Sequence, residues 1–278
     1  MKTKNLRKSL TLFVFAYLCF SLGFYSRDAK AKNKPAADYN SSVSPCFTFA
    51  HISDIHFVDS GRLSTEKWKK ASKGVRKFDK VPGMLEDFVK WVNLNNPSFV
   101  LMTGDILENY GHTKEALPEF FNFTDKLKMP YFITTGNHDF GVEKKIPKIR
   151  GGLDFYFTCG GVIFVGIPTF IPLYSAMVEI VPESALAAIV NISRKFPDNP
   201  VIVFTHAPIC KGKRIPDWAP PYNAEQTIQV LEKCKNVIAV LAGHIHMFDF
   251  DIRRNIHYIV APGFVESPDF GVSHRYTG

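Results

Sequence analysis

The stretch FTFAHISDIH, residues 47–56, decides how the rest of the chain is read. Its first seven residues, FTFAHIS, read as a core strand. Its tip delivers Asp54 and His56, two positions apart, and a strand has no packing use for that pair. Asp-x-His is half of a metal site or an accident of composition. The other strand ends discriminate between the two.

Four more short apolar runs finish in the same way. FVLMTGD (99–105) ends in Asp105, and YFITTGNHD (131–139) ends in Asn137, His138 and Asp139. VIVFTH (201–206) ends in His206, and VIAVLAGHIH (237–246) ends in His244 and His246. Between the runs lie segments with helical spacing, at 82–94, 114–127, 183–195 and 223–234. In the first of these Met84, Leu85, Phe88, Val89 and Val92 share one face. The alternation argues α/β with a largely parallel sheet. Two hairpins break it, one at 154–167 turning at Gly160-Gly161 and one at 249–261 turning at Asn255. A mixed sheet or a second sheet is therefore expected. In α/β sheets ligands bind beyond the carboxyl ends of the strands, so these tips would share one pocket. Each motif alone is weak, but five in order, each closing an apolar run, make a strong signal.

The order D-x-H, G-D, G-N-H-D, H, G-H-x-H resembles the calcineurin-like metallophosphoesterase family, from about residue 47 to about 261. Within it the motif set and compact size are most similar to the class III cyclic nucleotide phosphodiesterase group. The resemblance implies two packed mixed β-sheets flanked by helices, a four-layer α/β/β/α sandwich. It implies a first metal on Asp54, His56, Asp105 and His246 and a second on Asn137, His206 and His244, with Asp105 bridging. The cofactors would be two divalent or transition metal ions, manganese, iron or zinc, since imidazole and carboxylate together do not select one. A water between them would attack phosphorus, with the metals roughly 3.5–4 Å apart.

The same resemblance makes His138 the proton donor to the leaving oxygen, with a structural place beside the ligands as its alternative. Asp139 would orient His138, or else serve as a cap or turn residue. The activity implied is phosphoester hydrolysis of a small-molecule substrate, a diester in preference to a monoester. A broad phosphomonoesterase and a metal- or phosphate-binding protein without turnover are the alternatives. Where purple acid phosphatase relatives carry a metal-binding Tyr, three residues after the Gly-Asp aspartate, this chain has Glu108.

Composition sets the remaining bounds. The 278 residues carry a formal charge of +8. Residues 1–31 run from a basic start through an uncharged apolar stretch (9–25) to Ala29-Lys30-Ala31, the order of an export signal. They hold six basic residues and one acidic residue, +5 of the +8. The basicity is thus largely that of a signal peptide or an N-terminal anchor, and a nucleic-acid partner is not indicated. The protein is expected to be periplasmic, secreted or membrane-anchored by 9–25. Residues 32–45 read as a linker and 46–278 as one catalytic domain. Cys210 and Cys234 are the preferred disulfide pair, with free thiols as the alternative. Segment 57–80 has eight basic residues against three acidic ones and no strong period. It reads as a solvated loop or a rim that attracts anions. The 25 Phe residues predict thick aromatic packing between layers.

Overall fold

The computed structural model describes residues 47–108, 113–139, 141, 145, 155–173 and 176–266. The segments expected to be an export signal (1–31) and a linker (32–45), with Cys46, lie outside the described residues, and no described helix is long and apolar enough to cross a membrane.

Three parallel strands form the first sheet: β1 (Phe49–Ile52), β2 (Phe99–Thr103) and β3 (Tyr131–Thr134), in the order β1-β2-β3. The second sheet has six strands. They are β4 (Phe155–Cys159), β5 (Val162–Gly166), β8 (Val201–Phe204), β9 (Val237–Ala242), β10 (Asp249–Arg253) and β11 (Ile256–Val260). Their order is β10-β11-β9-β8-β5-β4, with the predicted hairpins antiparallel at its two edges and parallel pairing inside. A separate ribbon, β6 (Phe170–Leu173) with β7 (Ala176–Glu179), lies where no strand was expected.

Alternation along the strands builds the layers. Phe99 and Leu101 of β2 face the same inter-sheet cluster as Ile202 and Phe204 of β8 and Leu241 of β9. Val100 and Met102 face the opposite way, onto α3 (Val81–Asn95) and α4 (Thr113–Thr124). Val201 and Val203 likewise face α5 (Glu183–Lys195) and α6 (Ala224–Lys233). The result is the expected helix–sheet–sheet–helix sandwich. Phenylalanine fills its centre: Phe49 stacks on Phe99 at 5.0 Å, and Phe164 meets Phe99 edge-on at 4.9 Å.

Two expectations are corrected. Cys210 and Cys234 are both buried free thiols, not a disulfide, as a core of this size needs no covalent staple. Segment 57–80 is not a loop throughout, since α1 (Ser60–Leu63) and α2 (Glu66–Ala71) lie in it. Asp59 caps α1, its side chain accepting from the Arg62 N–H at 3.0 Å. The Lys69–Glu66 pair of α2 lies in solvent, as the solvated reading requires.

Candidate metal centre

The tips of β1, β2 and β3 supply Asp54, His56, Asp105, Asn137 and His138, and those of β8 and β9 supply His206, His244 and His246. The seam between the two sheets therefore assembles the centre. Backbone geometry aims the side chains. Asp54, His56, Asp105, His244 and His246 all have left-handed φ values, between 49° and 75°. This region costs a residue with a Cβ on the order of 1–2 kcal/mol. Five such residues at one site mean that the surrounding contacts enforce the conformation.

Two glycines admit the ligands. A Cβ on Gly104 would lie 2.5 Å from His206 Nδ1, and Gly104 itself has φ +88°. A Cβ on Gly136 would collide with the Asp105 carboxylate.

Asp54 and Asp105 are each held by one oxygen and present the other. Asp54 Oδ2 accepts from the His244 backbone N–H at 2.9 Å, which leaves Oδ1 buried and 3.3 Å from His246 Nε2. Asp105 Oδ1 accepts from the His138 N–H at 2.8 Å. Its Oδ2 stands 3.6 Å from His56 Nε2 and 3.3 Å from His206 Nε2. One carboxylate oxygen thus faces both halves of the centre.

The imidazoles are oriented from behind. His206 Nδ1–H donates to the Thr103 carbonyl at 2.7 Å, so Nε2 is the nitrogen offered forward. His56 Nδ1–H donates to Glu108 at 2.5 Å, and His246 Nδ1–H donates to Glu266 at 2.8 Å. His244 is turned the other way, with Nδ1 facing His206 Nε2 at 3.2 Å and Nε2 lying 3.8 Å from Glu179. His56 Nε2 and His246 Nε2 face each other at 3.1 Å. Forward-facing ring nitrogens packed in pairs against carboxylate oxygens fit a pair of cations, and carboxylates behind the rings are the usual second layer of such sites. Three groups of ligand atoms converge closely enough to hold an ion: Asp54–His56–His246, His56–Asp105–His138 and Asp105–His206–His244. Asn137 Oδ1 is buried without a hydrogen-bond partner, a carbonyl ready to bind a cation.

Charge follows the geometry. Burial alone would raise the carboxyls of Asp54 and Asp105, but the imidazoles around them hold both far below the usual range. Burial would lower His206, but Asp105 and Asp54 push it up to about 10. His138 is likewise raised, as Glu108 and Asp105 outweigh burial.

Asp139 takes the second of its two expected places, that of a turn residue, and not the one beside the His138 ring. Its carboxylate accepts from the backbone N–H groups of Gly136 at 2.9 Å, Ile106 at 3.2 Å and Leu107 at 3.0 Å. It ties the tips of β2 and β3 together, as a turn residue does. The carboxylate on His138 is Glu108, with Oε2 3.1 Å from Nδ1. Three acidic residues behind the histidines, Glu108, Glu179 and Glu266, were not picked out as partners in the sequence. Arg76 also reaches the centre from the basic segment, with Nη1 3.5 Å from Glu108 and Nη2 3.3 Å from His246.

A strand-tip centre at the seam of a four-layer sandwich defines a metallophosphoesterase fold. The calcineurin-like phosphoesterase family model matches residues 47–248, and the chain belongs to that family. No curated protein matches it in sequence. Solved structures share the fold at low identity. A dimetal phosphatase from Danio rerio superposes with TM-score 0.65 at 16% identity, over 80% of this chain and 90% of the other. The protein TT1561 of Thermus thermophilus gives 0.51 at 14%, over 78% and 89%. The purple acid phosphatase PPD1 of yellow lupin gives 0.52 at 13%, over 79% of this chain and 47% of the other.

Proposed function

We propose that this chain is a phosphodiesterase working through two metal ions. The observation that carries the reading is Asp105 Oδ2, placed 3.6 Å from His56 Nε2 and 3.3 Å from His206 Nε2, one anionic oxygen shared by two ligand groups. Asp54, His56, Asp105 and His246 would hold one ion, and Asp105, Asn137, His206 and His244 the other. Bound there, two divalent cations supply Lewis acidity and a water acidic enough to attack phosphorus at neutral pH.

The protein groups do the rest. Arg76 presents a guanidinium beside His246, where it can hold a non-bridging phosphate oxygen as negative charge grows. His138 carries a proton on a raised imidazole and gives it to the leaving ester oxygen. Glu108 holds the Nδ1 side of that ring. Asp139 acts at one remove, by holding the His138 turn against β2. The diester preference rests on the similarity of the motif set.

The test is hydrolysis by the manganese-loaded protein, comparing kcat/KM for a bis-nitrophenyl phosphodiester and a nitrophenyl phosphomonoester, with His206→Ala as the blank. A diester preference that vanishes in the variant supports the reading. A monoester preference replaces it with a phosphatase, and bound metal without turnover replaces it with a binding protein.

A further inference from the structure

The chain between His206 and α6 carries exposed aromatic residues that neither the fold nor the two-metal reading uses. Trp218 is 65% exposed and Tyr222 is 93% exposed. Burying such a ring stabilises a protein by about 1.5–3 kcal/mol, so a core residue would not be left in solvent. The neighbours of Trp218 are anchored all the same. Ile215 and Ala219 are buried in a cluster with Ala242, Ile245 and Val260. The Ala219 N–H donates to the Pro216 carbonyl at 3.1 Å, closing a turn that displays Asp217 and Trp218. Pro216, Pro220 and Pro221 fix φ on both sides of that turn. Beyond it, the Tyr222 N–H donates to the Glu179 carbonyl at 3.0 Å and ties the segment to β7. The ring is exposed on a rigid mount.

The mount stands at the metal centre. The Trp218 and His244 rings make a T-shaped contact, with centroids 5.5 Å apart and planes at 80°. Phe170 lies 5.4 Å from the same imidazole. Arg76 is on the His246 side, so a phosphoester seated between the two histidines has a guanidinium at one flank and an indole at the other. Lys213 and Arg214, exposed in the same segment as Trp218, suit an anionic ligand.

We propose that Trp218 is a stacking platform for a planar aromatic group, a nucleobase in its commonest biological form. That group is carried on the substrate arm that passes over His244. This deepens the two-metal reading and rests on it for the position of the phosphate. Every base has a π-face, so such a platform selects rings without selecting one base. The indole touches His244 in a T-shaped contact yet stays 65% exposed, which leaves ring surface open for a third ring.

The experiment uses two diesters, methyl adenylate with a ring and glycerophosphoethanolamine without one, on the manganese-loaded full chain. The ratio of their kcat/KM values should fall about tenfold in Trp218→Leu and recover in Trp218→Phe, as expected for loss and return of one stacked base. Adenosine monophosphate should also quench indole fluorescence in the wild type, and that quench should be absent in Trp218→Leu. An unchanged ratio with unchanged quench overturns the proposal and leaves the hydrolase reading standing. A parallel fall of both esters also overturns it, making Trp218 a support for His244. A Trp218-dependent quench without turnover of either ester keeps the platform and overturns the hydrolase reading instead.

Discussion

Glu108 Oε2 lies 2.5 Å from His56 Nδ1 and 3.1 Å from His138 Nδ1, so one carboxylate braces a ligand candidate and the proposed proton donor together. Burial would raise Glu108, but the two histidines hold it down at about 2, so it is ionised throughout the working range. Glu108→Gln should lower kcat or metal affinity by about 10–100-fold, as loss of a carboxylate behind a metal-ligating histidine does. The pH profile separates the two effects. His138 is raised partly by Glu108, so removing that charge lowers its pKa. The proton donor is then lost earlier as pH rises, and the alkaline limb of kcat should move to lower pH. Asp139→Asn should leave that limb in place, because its partners are backbone N–H groups.

Arg76 should matter more than the lysines around it. Its guanidinium touches Glu108 and His246, whereas Lys69 pairs with Glu66 in solvent. Arg76→Ala should reduce kcat/KM by about tenfold or more at physiological salt, in line with loss of an electrostatic contact to the transition state. Neutralising Lys67, Lys69, Lys70 and Lys73 together should act only at low salt, through screened steering. Steady-state kinetics across ionic strength checks both.

Gly104→Ala should cost stability and ligand geometry at once. The new methyl would meet His206 at 2.5 Å, at a φ of +88° that disfavours any side chain. A loss of about 2–4 kcal/mol is expected, which lowers Tm by about 2–4 °C for each kcal/mol in a domain this size. Calorimetry and metal content measured on the same sample check it.

His51 gives a pH dependence that the metal centre does not supply. It is buried between the sheets, Nε2 hydrogen-bonded to Thr103 Oγ1 at 2.8 Å, and burial lowers it to about 4 against a weaker pull upward from Asp54. The unfolded chain takes up a proton near pH 6.5 while the folded chain does not, so stability is full above that value. It falls as the pH drops toward 4, by about 3 kcal/mol in all. His51→Gln keeps a hydrogen-bonding group and should flatten urea-unfolding free energies over that interval. An undiminished slope in the variant would assign the acid sensitivity to other groups.

The strand tips were legible because two local signals coincide at each of them, an apolar run and a ligand-type residue at its carboxyl end. Asp54, His56, Asp105, Asn137, His138, His206, His244 and His246 are found that way, and the sandwich brings them to one seam. The partners behind them were harder to read. Glu108 is 52 residues from His56, and Glu266 is 20 from His246, so no periodicity links them. Glu108 did carry a faint signal, three places after Asp105. Glu179 sits at the end of β7, in a ribbon holding Pro172 that lacks clear alternation. Asp139 could be read two ways because it sits beside His138 in sequence, and its oxygens found nearer donors in the backbone. Cysteine spacing could not report that Cys210 and Cys234 are both buried in the core without pairing.

The left-handed backbone at Asp54, His56, Asp105, His244 and His246 limits how this centre could be engineered. Grafting the side chains onto an ordinary strand-to-helix connection of another scaffold would point them the wrong way, since right-handed residues aim their Cβ atoms elsewhere. A transplant has to carry the loops, with Gly104 and Gly136, before it carries the ligands. By the same logic, the folded chain should tolerate Asn or Gly at those five positions far better than valine or isoleucine, even where the ligand itself is lost.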